Sequence, residues 1–170
     1  QDFHRLAPPL PVSDTELAER LEQEFRESGA VSAALNWLIR TPAGGPVGML
    51  TLTGLSRPNR RAEVLLGVLP DAPFGTATAA MLMLFELYFN TLRFNKLYSF
   101  VFADNDHSLK GTLHLGFVVE GKLRQHVFDT GSNRYVDLIQ TALFADRAFS
   151  LGNRKLVERL LLPRSAVLSS

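Results

Sequence analysis

Cysteine is absent from this chain of 170 residues, and the absence removes several kinds of chemistry. Without thiols the protein can form no disulfide, no thiolate nucleophile and no zinc site built on cysteine. Histidine is scarce as well, with four residues. His107 and His114 stand about two helical turns apart, so they cannot share a close ligand sphere, and we expect no metal site.

An excess of charge of one sign is also missing, because 18 Lys and Arg residues oppose 17 Asp and Glu residues. Nucleic-acid-binding domains are usually far more basic, so we expect no nucleic-acid partner. The most apolar run, from Ala77 to Phe85, is much shorter than the roughly 20 residues that cross a bilayer. No signal-peptide pattern is present. We therefore expect a cytoplasmic protein with no membrane partner.

The stretch from Glu63 to Phe117 has the clearest pattern in the chain. Ala62 to Leu69 is typical of a strand, Gly75 to Leu92 of a long apolar helix, and Lys96 to Ala103 of a second strand. A strand, a crossover helix and a further strand form a right-handed unit with parallel strands. The turn into the helix leaves free N–H groups at a positive helix end, which suits a phosphate.

The remaining segments predict antiparallel strands and further helices. A capping box at Ser13 predicts a helix that ends near Gly29. We predict a single C-terminal helix over residues 145–162, weakened by Gly152. Residues 1–150 are expected to form an α+β domain with a mixed, mostly antiparallel sheet, and residues 151–170 a C-terminal helix and tail. The further strands are predicted at residues 31–40, 47–54, 117–128 and 135–144.

A set of short motifs stands in one register after the second parallel strand. The set resembles the GNAT superfamily of acyl-CoA N-acyltransferases, and most closely the branch that acetylates the N-termini of ribosomal proteins. The resemblance extends from about Pro8 to Phe149. It places residues 13–28 on the second helix of the family, so the first strand and helix are expected upstream of Gln1 or are absent. The motif residues are Asn105, Ser108, Leu115-Gly116-Phe117, Glu120-Gly121 and Arg124, with Gly75, Ala77, Tyr135 and Asp137 at further family positions.

The resemblance implies a GNAT fold with a central parallel strand pair and flanking helices, and acetyl-CoA or another acyl-CoA as co-substrate. The acyl group would pass by direct attack to a primary amine, either a protein N-terminus or a small molecule. One strand would offer its backbone to the pantetheine amides, and the turn into the helix would hold the pyrophosphate. The cofactor-binding residues that the resemblance implies are Leu66, Gly67, Val68, Leu69, Phe74, Gly75, Thr76, Ala77, Asn105 and Ser108.

Two residues are candidates for catalysis. In many GNAT enzymes a glutamate near the position of Glu63 takes the amine proton, and partial burial would raise its pKa toward a useful range. Ser108 would return a proton to the leaving thiolate. Each assignment has a plainer alternative, since a strand glutamate can face solvent and Asn105 makes a good helix cap. His126 is a weaker candidate for contact with the acceptor.

Three positions depart from the GNAT pattern. Ala72 stands where the pyrophosphate loop usually begins with a basic residue or glutamine, and Pro73 removes one amide donor. Thr112 replaces a tyrosine that many of these enzymes use as an acid. These departures keep two alternatives open. One is a non-catalytic module that binds or senses acyl-CoA, and the other is an interaction domain that has lost the cofactor and forms a homodimer through its last hairpin or C-terminal helix.

Overall fold

The computed structural model describes residues 34–41 and 45–161. The predicted helix at residues 13–28 and the start of the strand predicted at Val31 lie outside these residues. Within them, six strands and four α-helices follow one another along the chain. They are β1 (Leu35–Arg40), β2 (Pro46–Ser56), β3 (Arg61–Val68), α1 (Thr76–Phe85), β4 (Lys96–Phe102), α2 (Asp106–His114), β5 (Val118–Asp129), β6 (Arg134–Leu143), α3 (Ala145–Ala148) and α4 (Leu151–Leu160).

The six described strands form one sheet in the order β1-β2-β3-β4-β6-β5. Neighbours in this part of the chain are antiparallel, except for β3 and β4, which α1 connects as a parallel pair. The α+β class and the mixed, mostly antiparallel sheet with one parallel pair are therefore confirmed. In the described residues no helix is both long and apolar enough to cross a membrane.

One face of the sheet packs against α1 and forms the main core. Alternate strand residues on this helix face are fully buried, among them Leu52, Ala62 and Leu97. Tyr88 lies at the centre of the packing, and its hydroxyl donates a hydrogen bond of 2.7 Å to the Lys96 carbonyl at the start of β4. The phenol is buried with its polar end satisfied, so it fixes the helix on the strand that it crosses.

The opposite face of the sheet, called the far face below, carries the residues between those core positions. Because successive strand side chains point to opposite sides, Glu63 and Leu65 lie on the far face when Ala62 and Val64 lie on the helix face. A second apolar cluster covers part of the far face. It consists of Phe102, Val136 and Leu138, with Phe100, Leu123 and Val127 packed against them.

Two helix predictions need correction. The helix predicted over residues 75–92 is α-helical to Phe85 and then widens into a π-helix, Glu86–Thr91, in which the Leu92 N–H donates to the Leu87 carbonyl. The prediction of a single C-terminal helix is wrong, because the helix is interrupted at Ser150 between α3 and α4. Ser150 caps α4 by accepting from the Asn153 N–H, and the buried Asn153 amide donates to the carbonyls of Leu115 and Ala148.

Candidate active site

The parallel strands β3 and β4 part after a short paired stretch. Their register pairs Arg61 with Lys96, Ala62 with Leu97 and Glu63 with Tyr98, and ends there. Beyond this point β3 stays paired with β2, and β4 stays paired with β6. The two strands therefore part beyond Glu63, and the parting opens a cleft of about 550 Å³.

The cleft runs between the two strands and is bounded by the first turns of α1 and by α2. Six of the predicted site residues are in its lining, namely Leu66, Gly67, Val68, Ala77, Asn105 and Ser108. The predicted residues outside the lining are Glu63, Leu69, Phe74, Gly75 and Thr76. The lining as a whole is Val64–Val68, Ala77, Thr78, Met81, Ser99–Phe102, Asn105, His107, Ser108, Gly111, Thr112, Leu115 and Phe117.

The pairing of β3 with β2 determines which of its backbone groups face the cleft. The Leu69 N–H donates to the Val47 carbonyl at 2.8 Å, and the Gly67 carbonyl points at Gly48, where a Cβ would lie only 2.5 Å away. In an antiparallel ladder, alternate residues direct both backbone groups to the same neighbour. The N–H and C=O groups of Leu66 and Val68 are therefore directed away from β2 and into the cleft.

This geometry narrows the predicted strand contacts to alternate residues. The Leu69 carbonyl accepts from the Ala72 N–H at 3.0 Å, so both backbone groups of Leu69 are already used. Gly67 lines the cleft without a side chain, and its backbone groups bond to β2. Leu66 and Val68 are left as the residues of β3 whose backbone can bind an extended ligand.

The turn between β3 and α1 presents amide groups at one end of the cleft. The Thr76 N–H and hydroxyl both donate to the Pro73 carbonyl, at 3.1 and 2.6 Å, so Thr76 is occupied. Within the described chain, no hydrogen bond uses the N–H groups of Ala77 and Thr78, which line the cleft. These groups and the positive end of the helix dipole can bind an anion. Phe74, 99 % exposed, lies beside them on the turn.

Gly75 is the cap of α1 and adopts φ = 88°, in the left-handed region that favours glycine. A Cβ at this position would lie 3.1 Å from Leu160 Cδ2 of α4. We expect Gly75→Ala to lower the free energy of unfolding by about 1–2 kcal/mol, because L-residues are strained at this φ. Chemical denaturation of both proteins measures the difference, and an unchanged midpoint would contradict the strain.

Asn105 and Ser108 occupy the first turn of α2 at the cleft. The Asn105 side chain accepts from the Ser108 N–H at 3.0 Å, so the plainer role as a helix cap is present. Thr112, the residue in place of the family tyrosine, donates its hydroxyl to the Ser108 carbonyl at 2.9 Å. The Ser108 hydroxyl itself takes part in no hydrogen bond with the described residues, and it borders the cleft.

Glu63 lies on the far face at the last rung before the strands part, beside Tyr98. It is partly buried, and this desolvation raises the pKa of its carboxyl above the ordinary value. Burial also raises the pKa of Tyr98, with a further contribution from the Glu63 charge. Among the described residues none forms an ion pair with Glu63.

Sequence reasoning missed several residues that the fold brings to this site. Phe100 lines the cleft and Tyr98 adjoins Glu63, although both were read only as part of an apolar strand. The available signal was the alternation of side chains along the strand, which places Tyr98 and Phe100 on the face opposite the buried Leu97. His107 also lines the cleft, although from the sequence it was considered only as a metal ligand. In the part of the chain that the structure describes, no group of His, Asp and Glu could hold a metal ion.

Comparison with known proteins gives two curated relatives. One is an uncharacterized N-acetyltransferase, YoaA, of Bacillus subtilis, with 29% identity over 87 residues, 51% of this chain and 49% of YoaA. The other is the L-amino acid N-acetyltransferase AaaT of Escherichia coli, with 29% identity over 116 residues, 66% of this chain and 70% of AaaT. The chain thus spans about half the length of YoaA and 70% of AaaT.

Solved structures of the spermidine N-acetyltransferase SpeG of Vibrio cholerae share the fold. A complex with CoA and spermine superposes with a TM-score of 0.69 at 21% identity, covering 85% of this chain and 82% of SpeG. A F149A variant gives a TM-score of 0.71 at 19% identity over 88% of each chain. The sequence model of the acetyltransferase (GNAT) domain matches residues 1–118, more than half of the chain. On this match, and with its parted parallel strands, the chain belongs to the acetyltransferase (GNAT) domain family.

Proposed function

We propose that the protein transfers an acetyl or other short acyl group from acyl-CoA to a primary amine. The observation that carries the proposal is the parted strand pair. Because the strands part, the backbone N–H and C=O groups of Leu66 and Val68 point into a cleft, and the N–H groups of Ala77 and Thr78 lie at its end. An extended chain with two amides and a pyrophosphate at its end fits such a cleft. The strand satisfies the amides, and the helix end satisfies the phosphates.

The chain supplies the groups that a direct transfer needs. The partly buried Glu63 takes a proton from the incoming ammonium, directly or through water, so that the neutral amine can attack. A cleft-facing N–H, from Leu66 or Val68, donates to the carbonyl oxygen as negative charge develops there. The C–N bond forms first and gives a tetrahedral oxyanion. As this intermediate collapses, the C–S bond breaks and Ser108 Oγ gives a proton to the leaving thiolate, while the remaining excess proton of the amine nitrogen passes through water and restores the Ser108 hydroxyl.

The acceptor is proposed as a primary amine, and three kinds are worth testing. The likeness to the ribosomal-protein branch favours a protein N-terminus. AaaT is named for L-amino acids, and the SpeG structure contains spermine. Because the last two proteins are less than 30% identical to this chain, their substrates serve as members of a test panel.

The test is release of free thiol from acetyl-CoA in the presence of a panel of amines, including an N-terminal peptide, L-amino acids, spermidine and arylalkylamines. We expect turnover with at least one amine and a dependence on its unprotonated fraction. Mass spectrometry of the amine product confirms where the acyl group goes. Binding of acetyl-CoA without turnover on any amine would reject the enzyme.

A non-catalytic acyl-CoA-binding module is the second candidate, and the pyrophosphate turn favours it. The N–H of Ala72 is held by the Leu69 carbonyl at 3.0 Å, and Pro73 has none to offer, so the turn has fewer donors than usual. Calorimetric titration with acetyl-CoA separates the two candidates when combined with the thiol assay. A folded chain that does not bind CoA would instead favour the cofactor-free interaction domain.

Ser108→Ala tests the proton donor. We expect kcat to fall by about 10²-fold, because the thiolate would leave without a proton. The dissociation constant for CoA should stay within about twofold, since the Ser108 N–H, which Asn105 caps, is retained. Thr112→Val, which removes a hydroxyl that donates within α2, is the matched control. Full activity of Ser108→Ala would remove the assignment.

A further inference from the structure

We infer that the far face of the sheet beside Glu63 binds an acceptor with a single amine attached to an apolar or aromatic group, and not a polyamine. The inference rests on the proposed acyl transfer and adds the chemical class of the acceptor. It follows from three features of the far face beside Glu63. These are a wall of aromatic rings, a bulge that holds one of those rings in place, and the pairing of the other carboxylate nearby.

The aromatic wall is formed by alternate residues of β4 and one residue of β5. Tyr98 stands next to Glu63, and its ring centroid is 5.8 Å from that of Phe100. Phe100 lines the cleft, and the imidazole of His126 stacks on it with ring centroids 6.3 Å apart and planes inclined by 29°. A flat or apolar group that enters beside Glu63 therefore meets ring surfaces along one side.

A bulge in β5 places His126 on this wall. Leu123 pairs with Leu138 and Val127 with Val136, so the three residues between them face one residue of β6. Asp137 fastens the bulge by accepting from the Gln125 N–H at 2.7 Å and from Lys122 at 2.8 Å. These two contacts lower the pKa of Asp137, the Lys122 contact most. Bulges that redirect a side chain are frequent beside active sites.

The charges of the far face suit one ammonium group. The second carboxylate that reaches it, Glu120, is engaged by Lys96 at 2.6 Å and by Gln140 at 3.2 Å. Glu63 is therefore the carboxylate of the described far face that has no cationic partner. Arg61 stands two residues before Glu63 on the same face, and its positive charge acts to lower the pKa of Tyr98. A second ammonium along a polyamine would meet this cation and the rings, and no unpaired carboxylate of the residues that the structure describes on this face.

The test is equilibrium binding of three amines to the CoA-saturated protein by calorimetry. The amines are 2-phenylethylamine, ethylamine and spermidine. We expect 2-phenylethylamine to bind at least about tenfold more tightly than each of the others, because it alone combines one ammonium with a ring. His126→Ala should weaken 2-phenylethylamine by about 2- to 10-fold and leave ethylamine unchanged, as the loss of one ring contact predicts.

Controls separate this inference from the proposed function. His126 is exposed, so its replacement leaves the core intact, and His114→Ala, an exposed residue outside the cleft, should change no affinity. Tighter binding of spermidine, or an unchanged preference in His126→Ala, would overturn the inference. If 2-phenylethylamine binds as expected and no amine is acylated, the subsite stands and the enzymatic proposal fails.

Discussion

Replacing Glu63 by glutamine should lower kcat/KM by about 10²- to 10⁴-fold and, at the same time, raise the free energy of unfolding at pH above the folded pKa of Glu63. The amide has nearly the shape of the carboxylate and cannot accept the amine proton. The gain in stability has a separate cause. Burial raises the pKa of Glu63 in the folded protein, so its charged form is unfavourable there.

The sign of the stability change follows from this pKa shift. A carboxyl with a raised pKa in the folded state contributes stability that is present at pH below its unfolded pKa and is lost as pH rises through the folded pKa. At pH above its folded pKa the wild-type protein has lost that contribution, and Glu63→Gln restores a neutral side chain. The variant therefore lacks the base but should denature at a higher concentration of urea than the wild-type protein.

Measurement of kcat/KM against pH completes the test. The wild-type protein should show an acidic limb with a midpoint above the ordinary pKa of a glutamate, and Glu63→Gln should lack it. Glu158→Gln, an exposed glutamate of α4, is the matched control and should change neither activity nor stability. Full activity of Glu63→Gln would exclude the residue as the base, whatever its effect on stability.

The sheet and its parallel pair could be predicted from the sequence because each depends on local patterns. β3 and β4 are short apolar runs, and the helix between them requires a parallel crossover. The motif residues Asn105 and Ser108 were predicted from their resemblance to the GNAT superfamily, and both line the cleft. The prediction of the sheet succeeds because composition and periodicity are properties of one segment at a time.

The details of the cleft could not be predicted because they depend on pairing between distant segments. The partners β2 and β6 determine where β3 and β4 part. The β2 ladder determines that the backbone N–H and C=O groups of Leu66 and Val68 point into the cleft while those of Gly67 and Leu69 do not. A shift of one residue in that register would exchange the two sets. No pattern within β3 distinguishes them.

The same limit explains the aromatic wall and the split C-terminal helix. His126 reaches Phe100 through a bulge that depends on Asp137 of the neighbouring strand. The break at Ser150 depends on the buried Asn153, which donates to the Leu115 carbonyl from across the core. In both cases a polar side chain satisfies backbone groups of another element, and such a contact leaves no periodic signal in the sequence.

Ala77→Asp should strongly weaken CoA binding while leaving the fold at least as stable. Ala77 is in the first turn of α1 and lines the cleft, where its N–H is one of the free amides proposed to hold the pyrophosphate. An acid in the first turn of a helix is favourable for the helix dipole, so folding should not suffer. A pyrophosphate at the same place would meet a like charge, which costs about 4 kcal/mol per charge pair at 4 Å near a protein surface.

We therefore expect the dissociation constant for CoA in Ala77→Asp to rise by at least about 100-fold, with a melting temperature equal to or above that of the wild-type protein. Ala77→Asn separates charge from size, since its side chain has the same shape without the charge, and it should weaken CoA by less than Asp does. Pantetheine supplies the second control, because it has no pyrophosphate and should bind both variants alike. Equal weakening of CoA by Asn and Asp would assign the effect to bulk and would move the phosphates away from the end of α1.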